Sequence, residues 1–167
     1  MQSPIPSFIN SLRCLSSILK KAKQHCKDRK IDPETLLTTR LFPDMLNLKT
    51  NVFIACDTAK GLAARLSQTE NPKYEDNEST FEELQTRISK TIKFMKSVPE
   101  ASFEGAETRE VILRFGKQET KFIGADYLPA LLRQTFTSTW QRYMEFCVIM
   151  ELKLAKETFL AHNNVAN

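Results

Sequence analysis

Apolar residues recur at intervals of three and four along most of this chain, the spacing that lays one stripe along an α-helix. From Pro6 to about Lys30 the stripe is Phe8, Ile9, Leu12, Leu15, Ile18, Leu19 and Ala22. Asp32-Pro33-Glu34 then predicts a helix start, with the aspartate as cap and the proline in the first turn, opening a short helix that ends near Thr39. Leu41-Phe42-Pro43 turns the chain. A second long helix is predicted from about Asp44 to Ser67 on Leu48, Val52, Cys56, Ala59, Ala63 and Leu66. Its small residues, Ala55, Ala59, Gly61, Ala63 and Ala64, permit another helix to approach closely. A loop over 68–77 follows, with Asn71-Pro72 as punctuation. Thr80-Phe-Glu-Glu83 reads as a capping box, in which hydroxyl and carboxylate satisfy orphan amides reciprocally. It opens a third helix, striped by Phe81, Leu84, Ile88, Ile92 and Met95 and ended by Pro99.

Between Arg109 and Ile123 the period changes. Val111, Leu113 and Phe115 alternate with Ile112 and Arg114, and Lys121-Phe122-Ile123 returns after Gly116-Lys-Gln-Glu119, which predicts a short β-hairpin. Asp126 is expected to cap a fourth helix, with Pro129 tolerated in its first turn. Its pattern (Leu131, Leu132, Phe136, Trp140, Tyr143, Cys147, Met150, Leu154, Leu160) runs on unbroken by glycine or proline. The predicted fold is all-α: an up-down four-helix bundle with one short extra helix and a small β-hairpin between helices three and four, forming one domain over residues 1–167.

Composition narrows the function classes. With 41% apolar and 26% charged residues the chain reads as a soluble globular protein, and only four glycines agree with much helix and few loops. A net charge of +4, without a basic stripe interleaved with aromatics, argues against nucleic acid as partner. The basic run Lys20, Lys21, Lys23, Lys27, Arg29 and Lys30 falls at the end of the first helix, where cations are favourable. No apolar run is long enough for a membrane span, and Met1 to Pro6 has neither the charged start nor the apolar core of a secretory signal. Cys14, Cys26, Cys56 and Cys147 are scattered in helical patterns without CxxC spacing, which suggests free thiols in a reducing, cytoplasmic compartment.

Several chemistries lack their residues. The two histidines, His25 and His162, are placed poorly for converging with cysteines on a tetrahedral metal, and the Glu-x-x-His pairs of di-iron bundles are missing, so no metal is expected. There is no GxSxG elbow, and His25 beside Cys26 is not a dyad because adjacent helix positions do not face each other. Neither a GxxxxGK[ST] loop nor a GxGxxG loop occurs, so no nucleotide cofactor is expected. What remains are charges that interrupt the helical pattern between Thr39 and Phe81. Asp57 and Lys60 share a helix side, and Asp57, Gly61 and Arg65 are four apart in turn, with the glycine leaving room between acid and base. Asp44 is a natural charge for a helix N-terminus, and Asp76 and Glu78 precede the third helix. Two readings stand side by side. In one, Arg40, Asp44, Asp57, Arg65, Asp76 and Glu78 form a structural network that fixes the loop against helix two. In the other, the same charges perform acid–base work.

The blocks Pro43-Asp44-Met45, Ala55-Cys56-Asp57, Ala59-Lys60-Gly61, Ala64-Arg65-Leu66, Tyr74-Glu75-Asp76-Asn77-Glu78 and Thr80-Phe81 occur in order, with Leu84, Arg87, Ile88, Thr91 and Phe103-Glu-Gly105 after them. In these the chain resembles the DUF1993 proteins, an uncharacterised family related to the DinB-like helical bundles. The resemblance covers roughly the first three quarters. DinB-like relatives include metal-dependent thiol transferases and isomerases, which implies an enzyme by analogy of fold. The last quarter departs: aligned on Phe136, Thr139 and Ile149 stand where the family carries histidines, and Ala155-Lys156 to Phe159-Leu160-Ala161 is all that remains of its closing motif. The loss of both imidazoles weakens the carry-over of metal chemistry, and helix four is expected to run longer than in relatives.

The functional expectation is a metal-independent enzyme that converts a hydrophobic small molecule in the bundle cavity by isomerase, cyclase or lyase chemistry. Asp57 is the expected general acid or base, with Lys60 and Arg65 polarising an oxygen. Arg40, Asp44, Phe136, Thr139, Trp140 and Tyr143 are the expected substrate contacts, and Asp76 and Glu78 the structural network. The alternatives are a non-catalytic ligand carrier, a homodimer joined through the long fourth helix, and a DinB-type metal-dependent transferase or hydrolase.

Overall fold

The computed structural model of the chain describes residues 3–40, 42–115 and 118–131. Three long helices form its frame: α1 (Ile5–Arg29), α3 (Leu48–Ser67) and α4 (Phe81–Ser97), with the short α2 (Pro33–Thr38) between the first two. Two 3₁₀ turns, Glu100–Phe103 and Ala106–Thr108, lead to the antiparallel hairpin β1 (Glu110–Phe115) and β2 (Gln118–Ile123), and α5 (Gly124–Leu131) follows directly. Among the described residues no helix is long and apolar enough to cross a membrane.

The predicted stripes are the core. Leu12, Leu15 and Leu19 of α1 meet Val52, Cys56, Leu62 and Leu66 of α3 and Leu84, Ile88 and Met95 of α4 in one buried cluster. Ala59 and Ala63 are fully buried, as expected of small residues at a close helix crossing. Each start signal acts as its chemistry dictates. Asp32 accepts from the Glu34 amide at the head of α2. At α4, Thr80 accepts from the Glu83 amide, and the Glu83 carboxylate accepts from the amides of Ser79 and Thr80 at 2.7 and 2.9 Å. These bonds hold the Glu83 carboxyl below its ordinary pKa. Because its folded value is depressed, its stabilising effect is present above the ordinary glutamate pKa and fades as pH falls through the lower folded one. Thr80→Ala should lower stability by about 1 kcal/mol, read as a drop in urea midpoint. Glu83→Gln should flatten the acid side of the stability profile.

Two boundaries differ from expectation. The third helix of the chain, α3, starts at Leu48, not near Asp44, because Asn47 accepts from the Thr50 amide at 3.0 Å and caps it there. Pro43 and Asp44 instead occupy the middle of a turn closed by the Met45 amide on the Phe42 carbonyl, so Asp44 carries no helix terminus. Asp126 is not the cap of α5 but lies inside its first turn, where a negative charge is still favourable.

The hairpin register pairs Val111 with Phe122 and Glu110 with Ile123. Val111 is buried, while Ile112 and Ile123 face outward on either side of a Lys121–Glu110 ion pair of 2.9 Å. Arg109, which sequence patterns leave unremarked, ties this region together. Its guanidinium donates to the carbonyls of Leu66, Ser102 and Glu104, satisfying an orphan acceptor at the end of α3.

Candidate functional site

Three acids of the Thr39–Phe81 stretch, Asp57, Asp76 and Glu78, converge on a residue outside it. Arg87 of α4 is buried, with 1% of its side chain exposed, among the apolar stripe of its own helix. A guanidinium removed from water must have its charge and donors matched. Nη2 donates to Asp57 at 3.0 Å and to Asp76 at 2.8 Å, and Nη1 donates to both oxygens of Glu78 and to the Glu75 carbonyl. The rings of Phe53 and Tyr74 cover its carbon at 4.6 and 5.3 Å. Burial pulls against the charged form, but Asp57, Glu78 and Asp76 outweigh it and hold the pKa above its ordinary value. Nε is the one buried side-chain donor without an acceptor among the described residues.

Lys60, also buried, extends the cluster. Its ammonium lies 3.2 Å from Asp57 and 5.1 Å from the centre of the Tyr74 ring. Asp57 Oδ1 thus accepts from Arg87 and is ion-paired with Lys60, while its side chain remains 44% exposed. Behind these groups, burial pushes the Cys56 thiol up to about 12. A thiol so placed is not a nucleophile near neutral pH. Tyr74 is likewise raised by burial.

Of the predicted catalytic trio, Asp57 and Lys60 are in contact and Arg65 is not part of the group. Arg65 folds back over Gly61 and donates to the Tyr127 hydroxyl at 3.1 Å, tying α3 to α5. Gly61 does leave room, as its position suggests, but for Arg65 itself: a Cβ there would lie 2.5 Å from Arg65 Nη1. The obstacle is a flexible side-chain end. Gly61→Ala should therefore leave stability within about 1 kcal/mol, since the helix propensity gained offsets the lost contact. Release of the Tyr127 hydroxyl should show in its ultraviolet titration. Burial raises the Tyr127 pKa and Arg65 partly counters this, so the variant should titrate at still higher pH.

Arg40 and Asp44 are exposed and apart from the cluster, Arg40 donating to the Pro43 carbonyl at 3.3 Å. They are therefore not members of the network that the sequence suggests. Asp76 and Glu78 are members of it, with Arg87 as its centre in place of Arg40 and Arg65. Phe136, Thr139, Trp140 and Tyr143 lie outside the described residues, as does most of the stretch that motivates the homodimer reading. The signal for Arg87 was present in the pattern: it stands three residues after Leu84 and four before Thr91, on the stripe itself.

Among the described residues, α4 borders two of the clefts. One, of about 370 Å³, opens over the cluster and is lined by Lys73, Tyr74, Glu75, Asn77, Glu78, Arg87 and Lys90. The other, of about 400 Å³, is more apolar and runs between α1 and α4 along Leu19, Phe81 and the Lys23–Glu82 pair. Asp57 lines neither. Among the described residues no group of three or more His, Cys, Asp or Glu is arranged to hold a metal ion. The carboxylates that converge are directed at Arg87, whose guanidinium donates to all three. The donor set here therefore does not fit the metal centre that DinB-like relatives imply.

Comparison with known proteins agrees with this architecture. A crystal structure of a DinB family member protein from Shewanella denitrificans is similar at 29% identity, with a TM-score of 0.76, over 90% of this chain and 84% of that one. No curated protein matches the chain. The family model described as a domain of unknown function, DUF1993, matches residues 1–136. With its helical bundle, its small hairpin and Arg87 at the junction of loop and helices, the chain belongs to the DUF1993 family and has a DinB-like fold.

Proposed function

We propose that this chain is a small-molecule-binding helical-bundle protein that receives its ligand in the cleft over Arg87. The observation that carries this reading is the division of labour within the charged cluster. Asp57, Asp76 and Glu78 all serve a buried guanidinium, which makes them the fastening of the loop, while the wall above them remains open and presents an aromatic face, an amide and two lysines. Ligand sites of bundles combine a rigid frame with a few convergent polar groups in this way. The expected ligand is a small molecule with an apolar or aromatic body that rests on Tyr74. Titration of the labelled protein with small aromatic compounds, followed by amide shifts, tests this. Saturable shifts at residues 73–78 and 87–90 support it; shifts confined to other regions refute it.

A second reading, a metal-independent acid–base enzyme of isomerase, cyclase or lyase type, is favoured by one observation. Asp57 is engaged through Oδ1 alone, no described residue hydrogen-bonds its Oδ2, and the side chain is half exposed beside the buried Lys60 ammonium. A carboxylate so held can exchange a proton at its open oxygen. Chemical change of a bound ligand that is lost in Asp57→Asn, with folding retained, would favour the enzyme. A ligand recovered unaltered favours the binding protein.

A further inference from the structure

We propose that the cleft over Arg87 selects an anionic ligand, a small carboxylate or phosphate monoester carried on an aromatic or apolar body. This rests on the binding reading above and names its ligand class. Three observations carry it. First, the acidic groups of the wall are already engaged. Glu78 accepts from Arg87 through both oxygens, and Glu75 accepts from the Asn77 side chain at 3.1 Å. Second, the cations of the rim are not. Lys73 and Lys90 are exposed, line the same cleft, and have no ion-pair partner among the described residues. Third, the floor holds the buried Arg87, whose Nε has no acceptor among the described residues. A buried donor left bare is costly, which marks this floor as the place where a further acceptor would be favourable.

Within the cluster, Arg87 and Lys60 stand against Asp57, Asp76 and Glu78. Outside the cluster, the rim carries Lys73 and Lys90 against Glu75, so the ammonium groups are what the anionic end of a ligand would meet. Two ammonium groups on flexible stems recognise charge without fixing a planar geometry. The site is therefore expected to accept carboxylate and phosphate alike, and to weaken as salt is added.

Four probes with a common ring separate the possibilities: benzoate, phenyl phosphate, benzamide and benzylamine, titrated into the full chain and followed by amide shifts. Benzoate and phenyl phosphate should bind with shifts at Tyr74, Asn77 and Lys90, and the double substitution Lys73→Ala, Lys90→Ala should weaken them about fivefold or more. Both lysines are exposed, so the variant should keep its fold, checked by an unchanged urea midpoint. Equal binding of benzamide, preference for benzylamine, or unchanged affinity in the double variant would overturn the anion assignment and leave the binding reading intact. If none of the four binds at this cleft, both fail.

Discussion

Replacing Arg87 by methionine should be the most damaging single change in the charged cluster, lowering stability by about 3 kcal/mol or more. Methionine keeps much of the volume but removes every donor. Glu78, only 15% exposed, would lose its cation, and the Glu75 carbonyl would lose its donor at 3.0 Å. Asp57 and Asp76 are 44% and 58% exposed and can return to water, which is why the expected loss is at the low end for a broken buried network. For a chain of this size the melting temperature should fall by roughly 10 °C. Asp76→Asn removes a half-exposed partner and should lose less than about 1 kcal/mol. The order of the two variants is the test: if Asp76→Asn proved as harmful as Arg87→Met, the guanidinium would not be the centre. Lysine is no substitute here, since one ammonium is unable to span the acceptors that a planar fork reaches.

The second large effect is expected at Gly124→Ala. Gly124 links β2 to α5, and its amide donates to the Arg109 carbonyl at 2.8 Å. A Cβ there would overlap the carbonyl oxygen of Ala106 and lie 2.9 Å from its carbon. Neither atom can rotate away, so the hairpin root and the 3₁₀ turn would have to separate, at about 3 kcal/mol or more. Gly105 provides the contrast. It has φ of 70° and open space around its Cβ position, so alanine there meets backbone strain of about 1 kcal/mol and no collision. With Gly61 near neutral, the three alanine variants should rank Gly124, Gly105, Gly61 in chemical denaturation. A Gly124→Ala protein as stable as the parent would mean that the hairpin and α5 are not packed as described.

Much of the frame was legible because its signals are local. The stripes of α1, α3 and α4, the Asp32-Pro33 start, the Thr80 box and the change of period at Val111 each need only neighbouring residues to be read. Asp44 misled because a charge before an apolar pattern resembles a helix start, whereas the cap was Asn47, closer to Leu48 and backed by the turn at Pro43. The site was less legible because its partners are remote. Asp57 and Arg87 are 30 residues apart, and nothing in the spacing of Asp57, Gly61 and Arg65 announces that Arg65 would turn to Tyr127, 62 residues further on. The carboxylates were identifiable as a group; their counter-ion was concealed as a polar interruption in an apolar stripe, between Leu84 and Ile88.

Arg87 joins three stretches of chain: Asp57 on α3, the irregular segment from Glu75 to Glu78, and its own helix. A segment without a hydrogen-bonded ladder ordinarily opens often and exchanges its amide hydrogens quickly with deuterium. Here, lifting the segment away exposes the guanidinium and separates it from two of its acids at once, so partial release is disfavoured. The loop should therefore behave in exchange as an extension of the helical body, protected until the helices themselves come apart.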